Sequence, residues 1–463
     1  MSLDLKKLWQ QDKDHFVHPF TDFSVFQQEG CDIITDSKGE YVYDGEGNQY
    51  LDGIAGLWCV NIGHGRKELG DVMAEQATRM AYYSPFNNLS NVPAIELSAK
   101  LAELAPSNLN HVFYSCGGSV ANDTTIRIVH YYFNQKGKHE KKQIISRNNG
   151  YHGTTYVSAT LTGIESNNWG FDTADQFVHH ISEANCYRRP EGMDEAQYCD
   201  HLVAEFENTI AELGGADKVA AFIAEPIMGA GGVLVAPEGY HRRIYDVCKQ
   251  HDILYISDEV VTAFGRLGHF FASEDVFGIQ PDIINCAKGL TSGYIPLGAT
   301  LLSDEIYEVI SKPQRDGAVF STGFTYSGHP VACAVALKNI EIMEREDICG
   351  NVRDVGPYLE EQLKTLKDLP IVGDVRGSHF MMCIESVADK ETKELLPMEA
   401  NVGKRIATEC QKRGLIVRPI AHLNVLSPPL IWDRAMVDNV VGILRQSILA
   451  TVESLIEDGL YKA

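Results

Sequence analysis

Short apolar runs alternate with helical stretches through the middle of the chain, from about residue 70 to residue 330. The apolar runs include "NHVFYS", "KQIIS", "VAAFIAEP", "ILYISDEV", "PDIINCAKG" and "GATLLS". Helical stretches such as "IELSAKLAELA" separate them. Strands that are apolar almost throughout fit a sheet whose two faces are both covered by helices. The pattern therefore predicts an α/β domain built on a mostly parallel sheet.

The two ends of the chain have a different pattern. Near the N-terminus, "EYVYDGEGNQYLDG" places two alternating runs around a Gly/Asn turn, which predicts a hairpin. After His329 come a long helical stretch, the strand-like "HFMMCIES", a helix near "NVGKRIATECQKRG", the strand "LIVRP" and a terminal helix from about Val437. We predict a large domain over 71–330, a small α+β domain over 331–463, and an N-terminal segment, 1–70, that packs with the small domain.

Composition narrows the class of protein. Acidic residues outnumber basic ones by 63 to 40 in a chain of 463 residues, a formal charge of -23, which argues against binding to nucleic acid or anionic membranes. The 11 cysteines form no CxxC pair, so neither a disulfide framework nor a metal site is expected. The charged N-terminus does not resemble a signal peptide, and no run of 18 apolar residues is evident. We expect a cytoplasmic protein.

Two charged positions stand at the ends of predicted neighbouring strands. Asp258 and Glu259 follow "ILYIS", and Lys288 ends the next apolar run, "PDIINCA". An acidic pair alone is more often a solvated loop, and a lone lysine is more often at the surface. The carboxyl ends of parallel strands, however, meet in the crevice where α/β sheets bind ligands. Asp258 and Lys288 are therefore expected to converge on one site.

Further residues extend this site. Gly117, Gly118 and Ser119 follow "NHVFYS" and precede a helix from about Val120, an outline of a phosphate site, although a Gly-Gly turn is often only a turn. The sequence "NNGYHG" adds Tyr151 and His152 after "KQIISR", and "GFTYSGHP" adds a hydroxyl, that of Thr325. Together these groups would bind a phosphate, a flat ring, a ring nitrogen and an aldehyde. Pyridoxal 5'-phosphate (PLP) has all four features, so the sequence favours it as the cofactor.

These motifs resemble those of the class III, or omega-amino-acid, aminotransferases. The similar segments are "SDEVVTAFGRLG", "PDIINCAKGLTSGYIPLGA" and "GFTYSGHP", and the resemblance runs from "HPFTDF" to the end of the chain. It implies the type I fold of PLP enzymes, with a mostly parallel seven-stranded sheet in the large domain and a smaller α+β domain. It also implies a homodimer with shared active sites; pairing of dimers into tetramers is left open.

The resemblance assigns roles to residues of this chain. Lys288 would form the Schiff base with PLP and Asp258 would pair with the pyridine nitrogen. The remaining cofactor contacts would come from Tyr151, His152, Val260, Gly118 and Ser119, with Phe324 and Thr325 supplied to the partner subunit's phosphate. The substrate pocket would be lined by Trp58, Phe20 and Phe86, and Arg418 would pair with the substrate carboxylate. Glu225 is left with two alternatives, contact with Arg418 or contact with the substrate.

Two departures from the family pattern affect the expected substrate. Val120 stands where many relatives have Glu, which leaves the phosphate donors intact but changes the start of the helix. Val261 stands where the ornithine and 4-aminobutyrate branches have Gln. With Trp58, this resembles the amine:pyruvate branch.

The resemblance implies an omega-transaminase that moves an amino group from a primary amine or omega-amino acid to pyruvate or a similar keto acid. Racemase, decarboxylase and aminomutase activities use the same cofactor cradle and stay open as alternatives, as does a non-catalytic protein that kept the fold. The physiological amine donor and the stereochemical preference are not determined by the sequence.

Overall fold

Strands and helices alternate along the chain in the computed structural model, which describes residues 3–462. The strands are β1 (Ile34–Lys38), β2 (Tyr41–Asp44), β3 (Gln49–Asp52), β4 (His111–Ser115), β5 (Gln143–Arg147), β6 (Val178–Ile181), β7 (Val219–Ala224), β8 (Ile227–Met228), β9 (Leu234–Val235), β10 (Leu254–Asp258), β11 (Ile283–Cys286), β12 (Gly298–Leu302), β13 (Val372–Ser378), β14 (Met381–Ser386), β15 (Leu415–Ile416), β16 (Arg418–Ile420) and β17 (Leu423–Leu426). The helices are α1 (Leu5–His15), α2 (Phe23–Glu29), α3 (Ala55–Trp58), α4 (Lys67–Met80), α5 (Val92–Leu104), α6 (Gly118–Gln135), α7 (Tyr156–Leu161), α8 (Glu165–Asn168), α9 (Glu195–Glu212), α10 (Tyr240–Gln250), α11 (Ala272–Asp275), α12 (Asp304–Ile310), α13 (Pro330–Arg345), α14 (Ile348–Lys364), α15 (Val402–Lys412) and α16 (Arg434–Glu457). Short 3₁₀ turns span Lys288–Thr291, Thr365–Asp368 and Met398–Ala400.

The largest sheet has seven strands in the order β4-β12-β11-β10-β7-β5-β6. Neighbours from β11 to β6 are parallel, whereas β12 is antiparallel to both β11 and β4. The predicted mostly parallel seven-stranded sheet is thereby confirmed. Its register sets Asp258 at the end of β10 opposite Asn285 of β11.

Helices cover both faces of this sheet. All six residues of β7 are buried, as the continuous apolar run "VAAFIA" requires of a central strand. Phe222 of β7 packs in a cluster with residues of α9 and α10, such as Phe206. Ile223, its neighbour in sequence, packs instead with residues of α6, such as Phe133. Alternate side chains of β7 thus enter two separate cores.

Three strands near the N-terminus share a sheet with a strand from near the C-terminus. Strands β1, β2 and β3 form an antiparallel meander, and β15 adds to β3 in parallel. A second, antiparallel sheet has the order β13-β14-β17-β16. The domain division at residues 70 and 330 stays a prediction.

The predicted strand "LIVRP" is wrong as a single element. Leu415–Ile416 pair with β3, whereas Arg418–Ile420 pair with β17, so the chain changes sheets at the buried Val417. The apolar pattern hides this change because the run of Leu415, Ile416 and Val417 continues without a break to the residue where the chain leaves the first sheet. Strands β6 and β13 were not predicted from the sequence at all.

The terminal helix α16 is long and apolar enough to cross a membrane by length and composition. Its buried residues recur every three or four positions, and it packs against α14 and α15. Such a stripe is typical of an amphipathic helix that contributes to the core of a domain.

Candidate active site

Lys288 lies just beyond the end of β11, at the start of a 3₁₀ turn. Its backbone φ is +38°, in the left-handed region that residues with a side chain seldom adopt. The side chain is half-buried, and burial lowers the pKa of its amine, while the nearby carboxylates Asp258 and Glu225 oppose this shift. A larger fraction of the amine is therefore neutral than for an exposed lysine.

Asp258 ends β10 with both carboxylate oxygens hydrogen-bonded. Its Oδ2 accepts from Asn122 Nδ2 at 2.7 Å and lies 2.8 Å from His152 Nδ1, and its Oδ1 accepts from the backbone N–H of Val260 at 3.1 Å. Asp258 is only 4% exposed. Three donors compensate the burial of this carboxylate and fix its orientation.

A buried polar network behind Asp258 was missed by sequence reasoning. Asn122 Oδ1 accepts from Asn285 Nδ2 at 2.7 Å, and Asn285 Oδ1 accepts from the hydroxyls of Thr125 and Thr300, each at 2.7 Å. Because both hydroxyls donate to Asn285, the amide of Asn122 must turn its N–H groups toward Asp258. The signal in the sequence was an asparagine inside "IINCA", a strand buried on both faces, where a polar side chain needs partners.

Gly118 and Ser119 form the N-terminus of the 18-residue helix α6. No side chain caps this end, so its first N–H groups are free to bind an anion. A Cβ at position 118 would lie 2.9 Å from both methyl groups of Val260, so glycine is required there. Ser119 Oγ accepts from the backbone N–H of Thr154 at 3.2 Å. The start of α6 is thus in direct contact with Val260, which lies two positions after Asp258.

Tyr151 and Glu225 are joined through the backbone. The Glu225 carboxylate accepts from the N–H of Tyr151 at 2.9 Å and from that of Gly229 at 2.8 Å. Burial raises the pKa of Glu225, and these N–H groups oppose that shift. Among residues 3–462, Glu225 forms no ion pair with Arg418. The geometry favours a role for Glu225 in holding the Tyr151 loop.

Arg418 begins β16 and lies near the Tyr151 ring, whose phenol favours its charged form. Burial lowers the pKa of Arg418, and within residues 3–462 no carboxylate forms an ion pair with it. A partly buried guanidinium without an acidic partner can bind an incoming carboxylate through two parallel hydrogen bonds.

Trp58 ends α3, a distorted turn between β3 and α4. Its φ is +63° and that of Ala55 is +47°, a conformation that costs roughly 1–2 kcal/mol for each residue with a side chain. Trp58 is 3% exposed, and the apolar cluster that contains it packs against Val261 and against Ile420 of β16. Trp58 therefore belongs to the layer between the segment after Asp258 and the strand of Arg418.

The sequence family described as aminotransferase class III matches residues 26–448. The chain belongs to this family. Among its relatives, putrescine–pyruvate aminotransferase from Pseudomonas aeruginosa is 40% identical over 450 residues, covering 97% of this chain and 97% of that protein. Class III aminotransferases depend on PLP, so this chain is a PLP-dependent aminotransferase, as predicted.

Solved transaminase structures share the fold along nearly the whole chain. An (S)-enantioselective omega-transaminase from Thermomicrobium roseum superposes with a TM-score of 0.93 at 41% identity, covering 98% of this chain and 100% of that one. The omega-transaminase from Pseudomonas jessenii in complex with PMP gives a TM-score of 0.94 at 38% identity, covering 96% and 98%. The predicted type I fold of PLP enzymes is confirmed.

The residues of this aminotransferase fit its cofactor. Lys288 can bind an aldehyde, and the buried carboxylate of Asp258, which already has three donors, can pair with a ring nitrogen. The uncapped N-terminus of α6 can bind a phosphate. The contact of Gly118 with Val260 leaves no room for a side chain at the start of α6, which keeps its N–H groups accessible.

Four residues that the resemblance assigns to the amine pocket or to the partner subunit's phosphate have other surroundings within one chain of this aminotransferase. Phe20 is 71% exposed near the N-terminus, with a φ of +52°. Phe86, 45% exposed, lies beside Gly323, and the carbonyl of the exposed Thr325 accepts from Tyr82 OH at 2.6 Å. Phe324 packs its ring against Phe113. Within residues 3–462, no hydrogen bond joins this group to Lys288 or Asp258.

Proposed function

We propose that this aminotransferase moves an amino group from a primary amine to pyruvate, with PLP bound through Lys288. The observation that carries the proposal is the convergence of a half-buried lysine, a fully hydrogen-bonded carboxylate and an unpaired arginine at one edge of the central sheet. The relative from Pseudomonas aeruginosa, a putrescine–pyruvate aminotransferase, supports pyruvate as the acceptor.

PLP, when bound, supplies an electron sink that makes a carbon–hydrogen bond of the substrate acidic. Asp258 would hold the pyridine nitrogen in its protonated form, because its two oxygens are fixed by His152, Asn122 and Val260. The N-terminus of α6 at Gly118 and Ser119 would bind the phosphate. Tyr151 and Val260 would contact the ring, one on each side.

Lys288 would move the proton between substrate and cofactor once its nitrogen is released. Burial lowers the pKa of this amine, which favours the neutral form needed to accept a proton near neutral pH. Proton transfer by a positioned base typically contributes about 10² to 10⁴ in rate.

Arg418 would bind the carboxylate of pyruvate, and Trp58 would contact the apolar part of the amine. Because Arg418 has no acidic partner among residues 3–462, an amine without a carboxylate leaves its charge uncompensated, whereas pyruvate compensates it. Glu225 would support Tyr151 through the backbone. These separate contacts fit an amine donor that lacks a carboxylate and an acceptor that carries one.

A homodimer would complete the site. Phe86, Thr325 and the neighbouring Tyr82, Leu89 and Tyr326 lie on the chain surface, where an exposed apolar patch usually marks an interface. We infer that Phe324, Thr325 and Phe86 serve the active site of the partner subunit. Phe20 is assigned to the amine pocket by resemblance alone. A cytoplasmic location stays a prediction, and the pairing of dimers into tetramers stays open.

A donor panel tests the proposed function. Purified enzyme with PLP is given putrescine, β-alanine, taurine or 1-phenylethylamine, with either pyruvate or 2-oxoglutarate as the acceptor. We expect alanine to form from pyruvate with at least one amine, and less glutamate to form from 2-oxoglutarate. A preference for 2-oxoglutarate, or no amino acid product with any donor, would contradict the proposal.

A further inference from the structure

The turn that carries Trp58 is held by a buried carboxylate. Asp52, at the end of β3, is 2% exposed. Its Oδ1 accepts from the N–H of Ile54 at 3.1 Å, and its Oδ2 accepts from the N–H of Gly56 at 2.8 Å. Two backbone donors on one carboxylate define the path of residues 54–56, the part of the turn where φ becomes positive.

His64 supplies the third contact to this carboxylate. Its Nε2 lies 2.9 Å from Asp52 Oδ2. The backbone of His64 pairs with Gly39 in both directions, at 2.8 and 3.0 Å, and the N–H of Asp52 donates to Glu40 at 2.8 Å. The turn between β1 and β2 thus fixes both members of the Asp52–His64 pair.

Backbone hydrogen bonds within the same turn hold Trp58 in place. The N–H of Trp58 donates to the carbonyl of Ile54 at 2.8 Å, and that of Cys59 donates to Ala55 at 3.0 Å. Asp52 accepts from the N–H of Ile54, and the carbonyl of Ile54 accepts from Trp58, so Ile54 alone connects the carboxylate to Trp58. Left-handed conformations of this kind persist only where the surroundings determine them fully.

Trp58 in turn packs within the apolar layer that includes Val261 and Ile420. Those two residues belong to the segments that carry Asp258 and Arg418. A shift of the turn would therefore move the indole relative to the catalytic edge of the sheet.

We propose that Asp52 and His64 are positioning residues that set the choice of amine donor through Trp58. The inference rests on the proposed function, because it takes Trp58 to contact the amine. Loss of the Asp52–His64 contact would let the turn relax from its left-handed conformation and displace the indole. A displaced indole changes the width of the amine pocket, which affects flat aromatic donors more than the thin, flexible putrescine.

The test compares kcat/KM for 1-phenylethylamine with kcat/KM for putrescine, both with pyruvate, in the PLP-loaded enzyme. This ratio does not depend on the fraction of enzyme that is folded. We expect Asp52→Asn and His64→Ala each to shift the ratio by about tenfold in the same direction as Trp58→Ala, which is less than the roughly 10²-fold that a displacement of 1 Å can cost. His64→Gln retains a donor toward Asp52 and is expected to restore a ratio near that of the wild type.

Asp44→Asn is the matched control. Asp44 lies at the other end of the β2–β3 hairpin, where its Oδ1 accepts from the N–H groups of Glu46 and Asn48, both at 2.9 Å. It does not contact the Trp58 turn, so Asp44→Asn is expected to leave the ratio unchanged even if it lowers the melting temperature. Trp58→Ala serves as the positive reference and is expected to shift the ratio.

The outcomes separate the two proposals. If the wild type forms no alanine from either amine, the proposed function fails. If the wild type is active and Trp58→Ala shifts the ratio while Asp52→Asn and His64→Ala leave it unchanged or shift it the other way, the positioning role is wrong. The role is also wrong if Trp58→Ala leaves the ratio unchanged, or if Asp44→Asn shifts the ratio as much as Asp52→Asn.

Discussion

Gly118 is glycine because Val260 occupies the space that a side chain would need. A Cβ at position 118 would lie 2.9 Å from two methyl groups of Val260, whereas a Cβ at the adjacent Gly117 would meet nothing within 4 Å. The two glycines therefore differ in a way that the sequence "CGGS" does not reveal. At the scale of single residues, this contact links the proposed phosphate site to the segment after Asp258.

We expect Gly118→Ala to weaken PLP binding by at least about tenfold, since a clash of this size shifts Val260 or the start of α6. Gly117→Ala, whose Cβ is unobstructed, should bind PLP nearly as well as the wild type. Equilibrium titration of the cofactor-free protein with PLP, followed by visible absorbance, gives both dissociation constants. Equal affinities for the two variants would contradict the assigned contact.

The lowered pKa of Lys288 also predicts a pH dependence of stability. Between the pKa of the native amine and the higher pKa of the unfolded chain, the unfolded state binds more protons, so stability rises with pH. Lys288→Met removes this group at similar length. In the cofactor-free protein, the variant should melt at a higher temperature than the wild type near neutral pH.

The melting temperatures of wild type and Lys288→Met should begin to converge above the lowered pKa of the native lysine and meet near the ordinary lysine pKa of 10.5 that applies to the unfolded chain. Thermal unfolding at a series of pH values, from neutral to alkaline, measures the difference. A difference that stays constant or grows with pH would show that the native amine is not destabilised in its charged form.

Asp258 and Lys288 were predictable from the sequence because each stands at the end of an apolar run, and strand ends of a parallel sheet share one edge. Asn122 and Asn285 were not, because their contact depends on how α6 lies over β11. The conformation of Trp58 was equally hidden, since a left-handed tryptophan has no sequence signal of its own.

The register of β10 and β11 decides which side chains support Asp258. Because Asp258 lies opposite Asn285, the amide of Asn285 can orient Asn122, which donates to the carboxylate. A shift of one residue would turn Asn285 to the other face of the sheet. At the scale of elements, the pairing of β10 with β11 determines that this chain of hydrogen bonds ends with a donor pointing at Asp258.

Asn122→Leu should lower both PLP affinity and kcat, because it removes one donor from Asp258 and leaves the side-chain amide of Asn285 without its acceptor. An unsatisfied buried polar group costs about 1–3 kcal/mol, so the melting temperature should fall as well. Asn122→Leu combined with Asn285→Leu removes the unpaired amide but leaves the buried hydroxyls of Thr125 and Thr300 without their shared acceptor, so neither stability nor kcat should recover fully. Recovery of kcat in the double variant would argue against a role of Asn122 at Asp258.

Elements from distant parts of the chain are joined by another buried cluster. Glu385, on β14, accepts from Nε of Arg188, in the segment after β6, at 2.8 Å. It also accepts from Nη1 of Arg376, on β13, at 2.5 Å. Arg376 also donates to the carbonyl of Gly232 at 2.8 Å. This cluster ties the sheet of β13 and β14 to the loop near Glu225.

Glu385→Ala removes the carboxylate that the two arginines share, leaves Arg376 only its longer contact with Asp374 at 3.4 Å, and should destabilise the enzyme by about 3–5 kcal/mol. Asp354→Ala breaks the exposed Asp354–Arg434 pair, and is expected to change stability by less than about 1 kcal/mol. Chemical denaturation of both variants with saturating PLP measures the contrast. Similar losses for the two variants would show that the cluster does not stabilise the contact between the sheet of β13 and β14 and the loop near Glu225.

The predicted arrangement of elements held where helices and strands alternate, because the period of apolar positions distinguishes them. It failed at "LIVRP", where one apolar run serves two sheets. Whether a run continues in one sheet depends on partners more than 300 residues away, such as β3, and local pattern carries no information about them.

At the scale of the whole molecule, the residues predicted for one site lie in two places. Lys288, Asp258 and Arg418 meet at the edge of the central sheet, whereas Phe86 and Thr325 lie on an exposed apolar surface. A second copy of the chain, with its surface against this edge, would reunite them. The composition of the chain gave no indication of this division.

Mixed dimers test the shared site. Lys288→Ala and Thr325→Glu should each be nearly inactive, the second because a carboxylate repels the cofactor phosphate. When the two variants are co-expressed with different tags, each mixed dimer should contain one intact site, with Lys288 from one subunit and Thr325 from the other. Mixed dimers isolated by both tags but lacking activity would contradict a shared site.

The transfer of nitrogen itself tests the central claim most directly. Putrescine or 1-phenylethylamine labelled with ¹⁵N is incubated with pyruvate and PLP-loaded enzyme, and alanine is examined by mass spectrometry. The account predicts that the label appears in alanine in proportion to the amine consumed, and that Lys288→Ala abolishes steady turnover. Unlabelled alanine, consumption of the amine without alanine, or an undiminished rate in Lys288→Ala would contradict it.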